Sequence, residues 1–324
     1  MTEYPIGPED DGRLLRSYLQ ALGISSRTLS LLKQKENGIT VNGEKVTVRY
    51  ILKDGDRLRL DFSDPEGNDH ITPTPLPLHI LYEDDALIAV NKSGDMPTHP
   101  SHGHHGDTLA NALAYYFAHR GEGAPFVFRP VNRLDRTTSG VVLLAKNRYA
   151  ADALRQALSE SGEKEYTAIV CGAPEPDSGL IDQNIRRTAE SIIFRCTCPE
   201  NEGKVARTEY TVIKRFSRSG KPLAVLSLHP LTGRTHQLRV HCRHMGAPIC
   251  GDGLYGGDVY LPPEDMPKRT LLHASRLFFT HPFTKEKITF AAPLPEDFSA
   301  FLKACGVSAA DIEEKTSRAA KSDG

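Results

Sequence analysis

Residues 129–140 read RPVNRLDRTTSG and run directly into the apolar stretch VVLLA at 141–145. The apolar stretch predicts a buried strand, and the Thr-Thr-Ser-Gly turn predicts the loop that enters it. This loop places Asp135 between two arginines, and flanking cations favour the ionised form of a carboxyl group. A carboxylate held in this way suits catalysis, although an aspartate among arginines also occurs as a surface ion pair.

A second segment has a similar design. Residues 231–241, LTGRTHQLRVH, follow the apolar run LAVLSL at 223–228. The run predicts a strand, and this strand leads into a glycine-hinged turn that carries Arg234. We therefore expect the two turns to meet at one cleft.

Together these two segments resemble the RluA/RluD family of pseudouridine synthases, which isomerise uridine in RNA. The resemblance extends through residues 81–92, 164–168 and 271–274, and it covers roughly residues 79–295 in the family's order and spacing. One departure is Asn132, which stands where the family usually has histidine before Arg-Leu-Asp. Asparagine also forms hydrogen bonds, so the departure bears on that side chain more than on the activity.

The resemblance implies an α+β fold with a mixed, largely antiparallel sheet. It assigns the catalytic carboxylate to Asp135, an active-site tyrosine to Tyr166, and the cation that holds Asp135 to Arg234. The reaction moves ribose from a uracil nitrogen to carbon 5 and imports no group, so it implies neither a cofactor nor a metal. The residues expected to contact the substrate are Arg133, Arg136, Lys164, Thr235 and His236.

The overall charge does not indicate a nucleic-acid binder, because 40 basic and 41 acidic residues give a net charge of −1. The distribution is more informative. Residues 203–249 hold nine Lys or Arg against one acid, and residues 13–59 hold ten against four. Two basic faces suit contact with RNA phosphates, and ordinary solvated surfaces are the alternative.

Residues 1–62 predict a small α/β module. Leucines at helical spacing end at Gly23, Ser25 or Ser26 can cap a second helix, and Asn42-Gly43 favours a tight hairpin. This order resembles the S-four type RNA-binding module, named after a ribosomal protein. The resemblance implies RNA contacts from this module, and a domain that only packs on its neighbour is the alternative. The expected RNA contacts are Arg27, Lys33 and Asn42.

The rest of the chain divides into three parts. Residues 63–78 are acidic and rich in proline, which predicts an extended linker that lets the two domains reorient. Residues 79–303 form the catalytic domain, with helices expected at 107–118 and 148–160. Residues 304–324 end in a polar stretch without aromatic residues, for which we expect disorder.

Other functions are less well supported by the sequence. Histidines cluster at 99–105 and again, with Cys242, at 236–244, but neither segment has the spacing of a zinc site, so we expect no metal and a mobile polar loop at 99–105. A glycosidase would need a second positioned carboxylate, and no motif offers one. An RNA chaperone without catalysis would not need Asp135, Tyr166 and Arg234, so their presence argues against this function.

The expected substrate is large-subunit ribosomal RNA, with transfer RNA or a non-catalytic role in ribosome assembly as alternatives. Scattered cysteines and the lack of a long apolar run predict a cytoplasmic protein without a membrane partner, and we expect a monomer.

Overall fold

The computed structural model describes residues 2–63, 67–68, 70–120, 126–189, 191 and 193–322. Within these residues, the N-terminal part folds as a small unit in which two helices accompany a four-stranded antiparallel sheet. Its elements are strands β1 (Thr2–Pro5), β2 (Ile39–Val41), β3 (Glu44–Lys45) and β4 (Arg57–Leu60), and helices α1 (Leu15–Ala21) and α2 (Ser26–Gln34). The sheet order is β1-β4-β2-β3.

Local signals explain these elements. The Ser25 hydroxyl accepts a hydrogen bond from the Thr28 backbone N–H at 3.1 Å and so caps α2. Asn42 and Gly43 both have positive φ, 52° and 87°, and Val41 pairs with Glu44 across this two-residue turn. The predicted cap and the predicted hairpin are therefore confirmed.

The larger part is built on one sheet, which contains nine strands within the described residues. Its order is β5-β6-β7-β14-β8-β13-β12-β9, with β15 paired to β14, for strands β5 (His79–Glu83), β6 (Leu87–Lys92), β7 (Ser139–Ala145), β8 (Glu163–Cys171), β9 (Ser178–Asp182), β12 (Arg207–Arg218), β13 (Lys221–Pro230), β14 (Leu272–Thr280) and β15 (Lys287–Ala291). Only the β7–β14 pair of this described sheet is parallel, so the predicted mixed, largely antiparallel sheet is confirmed.

Helices and a small hairpin complete this part. The helices expected near 107–118 and 148–160 are present, whereas the helix that follows β13 was not expected. Among the described residues, no helix has both the length and the apolar character that a membrane span requires. The elements are helices α3 (Leu109–Ala118), α4 (Arg148–Ser161), α5 (Gln237–His244), α6 (Glu296–Ala304) and α7 (Ala309–Ser322), and the paired strands β10 (Asn184–Arg187) and β11 (Arg195–Cys198).

The sheet is covered on both faces. On the β6–β7 side, one apolar cluster joins the sheet to α3 and another joins it to α4. On the β8–β13 side, α5 packs on one face through Leu238 and Cys242, while α6 and α7 cover the other through Phe298 and Ile312. Burial on both faces fixes the strands that carry the loops described below.

The two domains were expected to reorient, but in the structure they pack against each other. Phe62 stacks on Tyr149 of α4 with ring centroids 4.5 Å apart, and Tyr149 belongs to the apolar core of the N-terminal unit. The linker packs as well, because Ile71 is buried and Asn68 bonds to the backbone of Phe126 and Phe128. Apolar contacts, which the proline pattern did not reveal, dock the unit. Linker residues 64–66 and 69 lie outside the described residues.

The expected disorder after residue 304 is wrong for the described part of this tail. Helix α7 places Ile312 in the core beneath the sheet, and the Glu313 carboxylate accepts a hydrogen bond from the Leu294 backbone at 2.8 Å. One buried isoleucine among charged residues is a weak sequence signal, so composition alone suggested disorder.

Candidate active site

The segments around Asp135 and Arg234 line one pocket of about 270 Å³, as expected from their turns. One wall comes from the loop before β7, another from β8, and the third from the turn between β13 and α5. Of the predicted site residues, seven line this pocket: Arg133, Asp135, Lys164, Tyr166, Arg234, Thr235 and His236.

The loop that carries Asp135 is held from several sides. Asn132 donates to the Val141 carbonyl at 3.1 Å and accepts from the Leu143 N–H at 2.7 Å, so it ties the loop to β7. Lys92, which is completely buried, donates to the Arg136 carbonyl at 3.2 Å. Burial lowers the pKa of Lys92 to about 7. These bonds fix the Asp135 backbone before any ligand binds.

A close approach of two strands also requires a glycine. Gly140, the second residue of β7, has a φ of 114°, and a Cβ atom there would lie 2.2 Å from the Ala274 carbonyl oxygen on β14. Glycine alone avoids both the strain and the clash. The parallel pairing that positions the Asp135 loop therefore depends on this residue.

Arg239, not Arg234, is the arginine beside Asp135. Its Nη1 lies 3.4 Å from Asp135 Oδ2. Its Nε donates to Oδ2 and its Nη2 to Oδ1 of the buried Asp252, each at 2.7 Å. Arg234 instead donates through Nε to the Val205 carbonyl at 2.9 Å. The expectation that Arg234 holds Asp135 is thus contradicted by the geometry.

The correction has a structural cause. Residues 237–244 form α5, and the buried face of this helix carries Arg239 towards Asp252 and Asp135. The sequence indicated only a glycine-hinged turn here, and the family resemblance assigned the role to Arg234. The apolar pair Leu238 and Cys242, four residues apart, is the signal that indicated a helix.

Tyr166 lies on β8 and lines the pocket near Asp135. Burial, and then the Asp135 charge, raises the pKa of Tyr166 above its usual value, so the hydroxyl keeps its proton at neutral pH. Lys164 lies two residues earlier on the same strand, and burial lowers its pKa. The pocket thus offers an aromatic ring and cations around one carboxylate.

His236 and Tyr255 form a pair beside Asp135, and Tyr255 was not predicted from the sequence. His236 Nδ1 lies 2.8 Å from the Tyr255 hydroxyl, and its Nε2 lies 3.8 Å from Asp135 Oδ2. Tyr255 is buried and also packs under the Arg239 guanidinium, 5.1 Å from the ring centroid. Neither Tyr255 nor Asp252 stood out, because each lies in a loop without periodic signal.

The remaining predicted residues lie elsewhere. Arg136 does not line the pocket, and its Nη1 is 3.4 Å from His104 Nε2. Arg27 and Lys33 are exposed on α2, away from the pocket lining. The Asn42 side chain bonds to Asp56 at 2.8 Å and accepts from the Arg57 backbone, so it holds the hairpin of the N-terminal unit.

The histidine loop at 99–105 is ordered by its own contacts. His104 Nδ1 lies 2.6 Å from the Asp107 carboxylate, and the other ring nitrogen faces Arg136. Within the described ranges, no three His, Cys, Asp or Glu side chains are grouped so that they could hold a metal ion. The loop therefore contributes histidines to the surface next to Arg136 of the Asp135 loop.

Comparison with known proteins gives consistent results. Residues 86–244 match the family model described as RNA pseudouridylate synthase. An uncharacterized RNA pseudouridine synthase of Bacillus subtilis, YjbO, is 37% identical over 89% of this chain and 98% of its own length. Ribosomal large subunit pseudouridine synthase D of Xanthomonas campestris pv. campestris is 33% identical over 89% of this chain and 85% of its own. The solved structure of human RNA Pseudouridylate Synthase Domain Containing 1 superposes with a TM-score of 0.58 at 30% identity, covering 69% of this chain and 87% of that one.

Proposed function

The chain belongs to the RNA pseudouridine synthases, which are isomerases, and on this basis we propose that it isomerises a uridine of large-subunit ribosomal RNA with Asp135 as the catalytic carboxylate. Relatives named ribosomal large subunit pseudouridine synthase D, 33% and 34% identical to this chain, support the substrate class. The observation that carries the assignment of Asp135 is its position. Among the described residues, it is the one carboxylate that lines the pocket.

The chemistry requires little besides this carboxylate. The bond from ribose C1′ to uracil N1 breaks, the base turns, and C1′ joins C5; C5 releases a proton and N1 gains one. The reaction therefore balances without an imported group. It needs a carboxylate beside the sugar and base, and a pocket that holds the uridine outside its stack. Asp135, fixed by Arg239 and by the Asn132 and Lys92 bonds to its loop, meets the first requirement.

Tyr166 and the pocket cations meet the second requirement. Because burial and the Asp135 charge raise the pKa of Tyr166, we assign its ring to stacking on the uracil and not to a phenolate base. Arg133, Lys164 and Arg234 line the same pocket and supply positive charge for the phosphates on either side of the uridine. Arg136 and the histidine loop extend this basic surface beyond the pocket.

The N-terminal unit is proposed to be an S-four type RNA-binding module. Its exposed Arg27 and Lys33 lie on α2, where phosphates can reach them. Asn42 is reassigned to holding the hairpin, because its side chain is occupied by Asp56 and Arg57. We further propose that the enzyme acts as a monomer in the cytoplasm, on RNA and without a cofactor.

The test is direct. Purified protein is incubated with transcribed large-subunit ribosomal RNA, without any added cofactor, and the RNA is digested for nucleoside analysis. We expect pseudouridine from the wild type and none from Asp135→Asn, which keeps the shape of the side chain and removes its charge. RNA affinity of this variant is expected to stay within about threefold, because one pocket carboxylate contributes little to phosphate binding.

Other outcomes separate the alternatives. Pseudouridine formed in transfer RNA but not in ribosomal RNA would change the proposed substrate and keep the reaction. Binding without any isomerisation by the wild type would indicate an RNA-binding assembly protein. Isomerisation by Asp135→Asn at the wild-type rate would contradict the assignment of Asp135.

A further inference from the structure

His236 has an unusual backbone conformation next to the reacting carboxylate. Its φ of 56° and ψ of 20° place it in the left-handed region at the N-terminus of α5. Non-glycine residues rarely adopt this region, because it strains their backbone. The conformation directs the imidazole back towards Tyr255 and Asp135 instead of outward with the turn. Such local strain often accompanies a functional side chain.

The hydrogen bonds of Tyr255 determine where the His236 proton lies. The Tyr255 hydroxyl accepts a hydrogen bond from the Arg195 backbone N–H at 3.2 Å. Its own proton then needs an acceptor, because Tyr255 is buried. His236 Nδ1, at 2.8 Å, is the acceptor that the described residues offer. Tyr255 therefore donates to Nδ1, which leaves the imidazole proton on Nε2.

The protonated Nε2 faces Asp135. It lies 3.8 Å from Oδ2, longer than a hydrogen bond but within reach of a favourable contact between an N–H dipole and a carboxylate. Arg239 Nη1 approaches the same oxygen at 3.4 Å. Both donors thus address Oδ2, and within the described residues Oδ1 has no comparable partner.

We propose that Tyr255 holds His236 as the neutral tautomer protonated on Nε2, and that His236 and Arg239 together fix Oδ2 of Asp135 so that Oδ1 reacts with the uridine. This inference rests on the proposed function for Asp135. His236 and Tyr255 are positioning residues, because they act through the carboxylate.

Burial favours the neutral form of the imidazole. Burial lowers the pKa of His236; Asp135 and Asp252 oppose this, while Arg239 and Arg195 add to it. The tyrosine ring meets the imidazole edge-on, with centroids 5.7 Å apart and planes at 82°. This contact and the hydroxyl bond together leave the imidazole little freedom to turn.

The first test reads the tautomer without RNA. The protein is labelled with ¹⁵N-histidine, and His236→Gln identifies the His236 signals among the 13 histidines. At neutral pH we expect a proton on Nε2 and none on Nδ1. Tyr255→Phe is expected to populate the opposite tautomer. A wild-type imidazole protonated on Nδ1, or on both nitrogens, would overturn the proposal whether or not the protein isomerises RNA.

The second test separates positioning from folding. We expect Tyr255→Phe to lower kcat between about 10- and 100-fold with KM changed less than about twofold, because a misplaced reacting group slows chemistry more than binding. Tyr260→Phe is the matched control, since its hydroxyl bonds to the Pro222 carbonyl, where the tyrosine packs with the α6–α7 cluster. An unchanged kcat for Tyr255→Phe would contradict the positioning role.

Two replacements of His236 distinguish the ring nitrogen from the backbone. Glutamine places a donor close to the Nε2 position, whereas asparagine reaches only the Nδ1 position but tolerates the left-handed backbone. We expect the kcat of His236→Gln to be at least about fivefold higher than that of His236→Asn, because only glutamine keeps a donor that can hold Asp135 in place. The reverse order would show that the turn conformation, and not the Nε2–H, is what matters.

Discussion

Arg239 is shared between two carboxylates. It holds the buried Asp252 with two donors at 2.7 Å and keeps Nη1 for Asp135 at 3.4 Å. A planar guanidinium can do both at once because its donors point in fixed, divergent directions. A lysine ammonium is a single point of charge and cannot reproduce this fork. The orientation of Asp135 therefore depends on the shape of the cation as well as on its charge.

This sharing predicts different results at two arginines of the same turn and helix. Arg239→Lys is expected to lower kcat by about 100-fold or more, because Asp135 loses its fixed partner. Arg234→Lys is the matched control and should keep kcat within about fivefold, because the Arg234 side chain bonds to the Val205 carbonyl and not to Asp135. Steady-state kinetics on the same RNA provide the measurement. An Arg239→Lys variant with the wild-type kcat would show that Arg239 has only a structural role.

His273 gives a pH dependence of stability. It is buried between the Ser139 hydroxyl, which donates to Nδ1 at 2.9 Å, and the Ala292 carbonyl, which accepts from Nε2 at 3.1 Å. Burial lowers the pKa of His273 from 6.5 to about 4. Between these values the unfolded chain binds a proton that the folded chain does not, so the stability falls as the pH falls through this range.

The predicted loss is about 3 kcal/mol of unfolding free energy between neutral pH and pH 4. Urea denaturation at several pH values measures it. His273→Gln should flatten this dependence, since glutamine does not titrate, and the exposed His79→Gln should leave it unchanged. Equal slopes for the wild type and His273→Gln would contradict this origin.

At the residue scale, the sequence motifs predicted site residues that lie within the motifs themselves. Asp135 and Tyr166 were predicted and line one pocket. Arg239 was missed because choosing between two nearby arginines requires the helix phase of α5. Tyr255 and Asp252 were missed because their roles arise from tertiary contacts with the α5 segment, 19 and 13 residues earlier in the chain, which no local pattern encodes.

At the element scale, two of the helices that the sequence did not predict, α5 and α7, have few apolar residues. Helix α5 buries polar side chains, including Gln237 and His241, which bond to Thr208 and other groups of the sheet. Helix α7 contributes Ile312 to a core formed mainly by other elements. Hydrophobic periodicity predicts helices that bury an apolar stripe, as α4 does, and it fails where polar contacts or one anchor suffice.

Helix α7 can be tested through that anchor. Ile312→Ala is expected to lower the unfolding free energy by about 2–5 kcal/mol, because it leaves a cavity in a packed core. Lys315→Ala, exposed on the same helix, should change it by less than about 0.5 kcal/mol. Thermal and urea unfolding provide the values. A negligible effect of Ile312→Ala would restore the expectation of a disordered tail.

At the scale of the whole molecule, the N-terminal unit is anchored to the catalytic domain. The Ser25 and Thr28 hydroxyls both donate to the Asp152 carboxylate, at 2.7 and 2.6 Å, and the Tyr149 hydroxyl donates to the Leu22 carbonyl at 2.8 Å. Sequence reasoning predicted the elements of this unit but not its docking, which depends on side chains more than 120 residues apart. The docked arrangement sets a fixed distance between α2 and the pocket.

The RNA-binding role of this unit predicts a change in salt dependence. Replacing Arg27 and Lys33 together by alanine should reduce the slope of log affinity against log salt by about 1.4 to 1.8, at 0.7 to 0.9 per phosphate contact. Lys287 and Lys303, exposed on β15 and α6, form the control pair for the same double replacement. Binding to ribosomal RNA is measured at several salt concentrations. The same salt slope for both double variants would indicate that the N-terminal unit only packs against the catalytic domain.

The position of β14 has a consequence for how the protein is made. Asp135 precedes β7, which lies in one half of the sheet. Tyr166 lies on β8 in the other half, and His236 and Arg239 follow β13 of that half. In the sheet, β14 lies between these halves and pairs with both. Translation runs from the N-terminus, so the ribosome releases β14 after every catalytic side chain has emerged. The nascent chain therefore carries all its chemical groups while the two halves of the pocket are still separate, and it gains activity only after β14 has emerged.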